Sequence, residues 1–321
     1  MSSVLTLIAA PAVAAPGPGS LGRFPAGVPL TQAAVDAARA ALDALGADTA
    51  PPVWLDAPGA PGSACDIGFE GLAPDQADAA ARATLDPLYP TGGLDVIAQS
   101  AEGRKKSVLV ADMDSTIVTA ETLDELAAFA GIKDHIAAIT ARAMNGELDF
   151  KSALRERVGL LKGLPVETIA RTLADIRYTP GGRTVVRTMR ANGATTVLIS
   201  GGFLPFARPV AAHCGFDRVF ANDLILDGEH LSGLVAEPIV DRNAKLETLI
   251  ATAAEIGVPT TATLAVGDGA NDLPMIQAAG LGVAFHGKPT VVAGARAALN
   301  WADLTGLLFA QGYPRDAFVC D

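Results

Sequence analysis

"VLVADMDST", residues 108–116, places four apolar residues directly before two carboxylates set two positions apart. The run 108–111 reads as a strand buried on both faces, so it delivers Asp112 and Asp114 to a place where water is scarce. Desolvating a charge without a partner costs several kcal/mol or more. The rest of the chain must therefore supply something that meets these two groups.

Two further apolar runs of the same kind follow. "TTVLI" (195–199) ends at "SGG", beginning with Ser200, and "ATLAV" (262–266) ends at "GDGAND", which holds Asp268, Asn271 and Asp272. Long segments with helical periodicity separate the three. The alternation predicts an α/β fold, a Rossmann-like parallel sheet covered by helices. In open α/β sheets ligands sit outside the carboxyl ends of the strands, so the three polar clusters should converge on one site.

Residues i and i+2 of an extended segment share a face, which lets Asp112 and Asp114 point together while Met113 packs the other way. Joined by Asp268 and Asp272, they make a hard, oxygen-rich pocket suited to Mg²⁺. Such an ion would offset the repulsion among the carboxylates and admit an anionic ligand. An aspartate with a pKa of about 3.9 is ionised at neutral pH and can attack phosphorus without a base. Asp112, fixed at the strand end, is the candidate nucleophile. Asp114 is the candidate acid, protonating the departing alkoxide and later deprotonating water, a role that needs a raised pKa. Ser200, with the backbone N–H groups of Gly201 and Gly202 at an expected helix start, can bind phosphoryl oxygens. Lys245, in "DRNAKLETL" (241–249), adds positive charge. Taken singly, "SGG" also fits an ordinary turn and a lone lysine also fits a solvated helix face.

The chain around these motifs has 321 residues, half of them hydrophobic, with 33 Gly and 21 Pro, enough for two domains with cores of their own. A net charge of -11 with only 24 Lys plus Arg argues against broad nucleic-acid binding. Cys65, Cys214 and Cys320 lie far apart without a C-x-x-C, which suggests neither a zinc cluster nor a disulfide framework and fits a reducing cytoplasm. No run approaches about 20 apolar residues, so no membrane span is expected. "MSSVLTLIAAPAVAAP" has a secretory flavour but lacks a preceding Lys or Arg, and "VLTLIAA" is read as a first strand.

Residues 31–46 place Val35, Ala38, Leu42 and Leu45 at helical spacing, with Thr31 as N-cap and Gly46 as stop. Strand-like "VLTLIA", "PVWLDA", "CDIGFE" and "LDVIA" surround this helix and a second at about 75–86, giving the order β-α-β-β-α-β. That order, over residues 1–100, resembles a small ferredoxin-like or ACT-like α+β module, of the kind that often binds amino acids; a packing or dimerisation role fits equally. "GRKK" (103–106) reads as a solvated linker, and residues 107–321 as the catalytic core with a helical cap at about 120–180. "LILDGEHLSGLV" reads as a hairpin around Asp227-Gly228. The four histidines show no ligand spacing.

"DMDST", "SGG", the Lys245 segment and "GDGAND" together resemble the four motifs of the haloacid dehalogenase superfamily, in that family's order. "AETLDELA", "MNGELDFKSALRERVGLLKGLP" and "FANDLIL" are similar to the phosphoserine phosphatases within it, over roughly residues 107–295. The resemblance implies a metal held by Asp112, the backbone carbonyl of Asp114 and Asp268, with Asp272 behind them. It implies substrate contacts from Glu121, Met144, Phe150, Arg157, Ser200, Gly201, Lys245 and Asn271. It also implies hydrolysis of phosphoserine through an aspartyl-phosphate, at the end of serine biosynthesis.

Phosphoserine carries an ammonium that Glu121 can pair and a carboxylate that Arg157 can take bidentately. Read from the residues alone, Glu121 also fits an acid before a capping box at Thr122–Glu125, Arg157 a solvent-facing side chain, and Met144 and Phe150 cap-core residues. Two other readings stay open: a phosphatase or phosphotransferase for another small phosphorylated amino acid such as phosphohomoserine, and a non-catalytic phosphate or amino-acid sensor. The partner expected is a small molecule, neither nucleic acid nor membrane; a homodimer is allowed without being required.

Overall fold

The computed structural model describes residues 2–12, 27–144 and 147–320, apart from the side chains of Ala141 and Met144. The first unit runs β1 (Ser3–Ala9), α1 (Gln32–Ala44), β2 (Asp48–Thr49), β3 (Val53–Trp54), β4 (Ala64–Glu70), α2 (Pro74–Leu85) and β5 (Leu94–Ser100). Its antiparallel sheet has the order β2-β4-β1-β5, with β3 also on β4, which is the expected α+β module with one extra short strand. Thr31 caps α1 as its sequence predicts, its hydroxyl accepting from the Ala34 N–H at 3.2 Å. Alternation along the strands gives the sheet two buried faces. Leu5, Leu7, Ile67 and Val96 pack on Val35, Leu42 and Leu85 of the helices. Ile8, Ala64 and Ile97, of opposite parity, join a core that contains Leu307 and Phe309.

The second unit begins with β6 (Val108–Ala111), followed by α3 (Thr122–Phe129), α4 (Lys133–Met144), α5 (Phe150–Gly159), α6 (Glu167–Asp175) and α7 (Gly182–Ala191). Then come β7 (Thr195–Phe203), α8 (Leu204–Cys214), β8 (Arg218–Asn222), β9 (Leu224–Asp227), β10 (His230–Val235) and α9 (Arg242–Glu255). The chain closes with β11 (Thr263–Gly267), α10 (Leu273–Ala278), β12 (Leu281–Phe285), α11 (Pro289–Gly294), β13 (Ala297–Leu299) and α12 (Gly306–Ala310). The sheet order is β13-β12-β11-β6-β7-β8, parallel in every pair. The three strands that end in polar clusters are therefore neighbours, with β6 in the middle. Each is buried along its apolar run because helices cover both faces.

Helices α3 to α6 form the cap, and Leu126, Leu154, Val158 and Ile169 tie it to Phe203 and Phe206 of the core. The hairpin β9–β10 forms around Asp227-Gly228 as read, and it grips the far end of the cap: Gly163 and Val166 N–H donate to the carbonyls of Leu231 and Glu229. Among the described residues no helix is long and apolar enough to cross a membrane, and all three cysteines are unpaired.

The junction corrects one reading. "GRKK" is not a solvated linker. Arg104 pairs with Asp66 at 2.6 Å, and Lys106 is buried, its ammonium donating to the carbonyls of Gly103 and Thr261. The cations fasten the two units because carbonyls and a carboxylate from both converge there, a juxtaposition that charge pattern alone does not encode.

Candidate active site

The strand β6 stops at Ala111, and residues 113–117 form a wide turn in which Val118 N–H returns to the Met113 carbonyl at 3.0 Å. Asp112 and Asp114 therefore do not continue a strand as the i, i+2 reading supposed. Extended backbone at Asp112 and Asp114 nevertheless sends both carboxylates toward the same end of the sheet, and Met113 is fully buried. Asp112 accepts from Lys245 Nζ at 2.6 Å; Asp114 Oδ1 accepts from the Thr122 N–H at 3.1 Å, and its Oδ2 from Ser200 Oγ at 3.4 Å. Ser115, held in the left-handed region at φ 55°, turns its hydroxyl onto Glu121 Oε1 at 2.8 Å.

Carboxylate oxygens of Asp112, Asp268 and Asp272 lie within 4.8 Å of one another, and all three residues are buried. Lys245, in the first turns of α9, is 1 % exposed and bridges Asp112 and Asp272, each at 2.6 Å. Asp272 Oδ2 takes the Gly269 N–H at 3.0 Å, so both of its oxygens are engaged by protein. Three clustered carboxylates against one ammonium leave an excess of negative charge. Burial and Asp272 push Asp112 well above the usual carboxylate range against the pull of Lys245. Burial alone would lower Lys245, but Asp112 and Asp272 outweigh it and hold its ammonium above the ordinary value. A buried oxygen-donor set with surplus charge of this kind can hold a divalent cation.

The Asp114 carboxyl is pushed up to about 7, first by burial and then by Glu121, with the Thr122 N–H pulling the other way. This is the raised value that an acid role requires. "SGG" corrects a second expectation. These residues belong to β7 instead of a helix start, α8 begins only at Leu204, and the Gly202 N–H donates to Ser200 Oγ at 2.8 Å. A side chain at Gly202 would place its Cβ 2.8 Å from Asp114 Oδ2, so the glycine makes room for the acid.

The cap residues divide. Phe150, at the start of α5 and 40 % exposed, lies over Gly201: a Cβ there would stand 3.4 Å from its ring. Arg157, half-buried on α5, donates to the Ala153 carbonyl at 3.4 Å; burial lowers its guanidinium pKa, and the charges of Asp124 and Glu121 oppose that shift. Glu121 is the N-cap residue of α3 without a side-chain cap bond, so the capping box does not form. Asn271 donates to Asp272 Oδ1 at 3.4 Å. Met144 ends α4, but its side chain lies outside the described residues. Sequence reasoning missed Asn222, whose carboxamide bonds Gly201 and Val240. "FANDLIL" carried it, but an asparagine between two strands reads as a turn residue.

A family model for haloacid dehalogenase-like hydrolases matches residues 109–277, which contain all four motifs. The chain belongs to that family. Within the haloacid dehalogenase-like hydrolases, it is 43% identical over 222 residues to a phosphoserine phosphatase of Streptomyces coelicolor. That match covers 69% of this chain and 54% of the relative, so the chain spans about half the relative's length. A probable phosphoserine phosphatase from Vibrio cholerae, solved unliganded, superposes with a TM-score of 0.71 at 27% identity, covering 98% of this chain and 88% of that one. A substrate-bound phosphoserine phosphatase complex superposes at 0.60 with 37% identity, covering 64% of this chain and 98% of that one.

Proposed function

We propose that the protein is a Mg²⁺-dependent phosphatase that hydrolyses O-phospho-L-serine to L-serine and phosphate, the serine-releasing step of serine biosynthesis. The observation that carries the reading is the convergence of Asp112, Asp114, Ser200, Lys245 and Asp268 at the ends of β6, β7, α9 and β11 beneath Glu121, Phe150 and Arg157 of the cap. The named relatives support it.

Asp112, Asp268 and the Asp114 carbonyl would hold the ion, whose charge would offset that of the phosphoryl group; Asp272, engaged on both oxygens, instead orients Lys245. Lys245 bonds Asp112 Oδ1, and the ion's charge would offset the burial that raises Asp112 and keep Oδ2 ionised for attack on phosphorus. The phosphorus–oxygen bond to serine breaks as the Asp114 carboxyl gives its proton to the seryl oxygen. Asp114, now ionised, takes a proton from the water that opens the aspartyl-phosphate and so regains its acid form. Ser200 and Lys245 hold the equatorial oxygens, where phosphoryl transfer needs charge stabilisation. Glu121 and Arg157 read the ammonium and carboxylate of the substrate, and the cap keeps water out while the leaving group is protonated.

The test is phosphate release from phosphoserine, phosphohomoserine and other small phosphorylated metabolites, with and without Mg²⁺. Phosphoserine should be preferred, and Asp112→Asn should lower turnover by at least about 10³-fold. Preference for phosphohomoserine, or an inert wild-type protein, overturns the assignment.

A further inference from the structure

We infer that Asn222 is a positioning residue for the phosphate-binding side of this site, resting on the phosphatase reading above. The reason begins in the ladder between β7 and β8. Ile199 pairs with Phe220 and Phe203 pairs with Asn222, so four steps on β7 face two steps on β8. Ser200, Gly201 and Gly202 thus face Ala221 alone, a surplus of two; they bulge out of the ladder, and their peptide groups lose the strand that would otherwise fix them.

The Asn222 side chain replaces that strand. It is 1 % exposed, and its Nδ2 donates to the Gly201 carbonyl at 2.8 Å. The same peptide unit is held at its other end, because the Gly202 N–H donates to Ser200 Oγ at 2.8 Å. One peptide plane is thus pinned at both ends, and the hydroxyl that accepts from it must aim its own proton outward, toward Asp114 and the phosphoryl position. The carboxamide also pairs with Val240 as a strand would, Oδ1 accepting from its N–H at 2.7 Å and Nδ2 donating to its carbonyl at 3.3 Å. Val240 precedes Asp241, the N-cap that accepts from Asn243 and Ala244 N–H and starts the helix bearing Lys245. A single side chain therefore sets the distance between Ser200 and Lys245, the two groups assigned to the phosphoryl oxygens. Only a carboxamide offers the two donor bonds and the acceptor made here. A carboxylate cannot donate to two carbonyls, and leucine can do neither.

Asn222→Asp, Asn222→Leu and Asn222→Ser are assayed with phosphoserine and with an aryl phosphate that lacks the amino-acid portion. The displaced cradle should lower kcat/KM by roughly 10- to 100-fold for both substrates, mostly through kcat, and weaken inhibition by inorganic phosphate about tenfold. Arg157→Ala, in contrast, should affect phosphoserine alone. The serine variant, the smallest polar change, keeps the test alive if the others fold poorly, and it is combined with Ser200→Ala in a double-mutant cycle. A shared role predicts that the two losses do not add. Additive losses, or folded variants with unchanged kcat/KM and unchanged phosphate inhibition, overturn the inference. If the wild-type enzyme cleaves the aryl phosphate but not phosphoserine, the substrate assignment falls while the role of Asn222 is still decided by the aryl phosphate.

Discussion

The acid role proposed for Asp114 depends on its staying protonated near neutrality, and its surroundings favour that: burial and Glu121 raise its carboxyl to about 7 while Thr122 and Lys245 restrain the shift. An acid is needed only when the leaving oxygen is basic. Asp114→Asn should therefore slow release of alkyl alcohols by about 10²- to 10⁴-fold and of a nitrophenolate far less, measured as kcat on matched phosphate esters; equal slowing would contradict the acid role. The sign with pH follows. Below about 7 the carboxyl holds its proton, so the rate of the first step with alkyl esters should fall as pH rises through that value, while nitrophenyl phosphate shows no such limb in a burst experiment. At this scale the sequence was informative where chemistry and position coincide. Asp112, Asp114, Ser200, Lys245, Asp268 and Asp272 stand at strand ends or a helix start, and a charged or hydroxyl group there has few structural reasons to exist. Asn222 and Ser115 were not legible, because their value lies in partners that only the folded chain brings near.

Elements show a different balance. The helix capped by Thr31 and the central strands were readable because periodicity and capping are local. The bulge that makes "SGG" part of β7 was not, since it arises from a register mismatch with β8. Helix α5 is the element whose behaviour is most open to test. Besides laying Phe150 over Gly201, it reaches the core through two exposed ion pairs: Lys151 to Asp241 at 3.3 Å and Arg155 to Glu237 at 2.5 Å. Solvent screens such pairs, so each contributes little to stability, yet both link α5, which carries Phe150 and Arg157, to the segment 237–241 that leads into α9 and Lys245. Replacing Lys151 and Arg155 together by Gln should raise the KM for phosphoserine by about two- to fivefold and leave the melting temperature almost unchanged. Raising salt should do the same to the wild-type enzyme and have little further effect on the double variant. A salt response of the same size in both proteins would show that the pairs do not latch the cap.

Across the whole molecule, the N-terminal sheet and the C-terminal unit are joined through a buried acid as well as through the junction cations Arg104 and Lys106. Alternation along "LDVIA" makes Asp95 look like the solvent side of a half-exposed strand. Its face of the sheet instead packs on residues 300–313, a pairing between distant segments that no local pattern announces. There Asp95, fully buried, accepts from the N–H groups of Asn300, Trp301 and Ala302 at 2.7, 3.1 and 2.8 Å. Burial raises its carboxyl from 3.8 to about 6, and the three donors offset only part of that. A folded-state value above the unfolded one means tighter proton binding in the fold. The associated stability is complete below about 4 and fades as pH rises through about 6, a change on the order of 3 kcal/mol. Asp95→Asn cannot titrate and turns an amide donor toward backbone donors, so it should destabilise at every pH, by a few kcal/mol. Its penalty relative to wild type should shrink between about pH 4 and 6.5, because only the wild-type protein loses the proton-linked part. Denaturant unfolding followed by tryptophan fluorescence suits the test, since Trp301 donates to Asp95 and Trp54 lies on the same sheet. Parallel stability curves for the two proteins across that window would show that the interface is not held by an acid that titrates there.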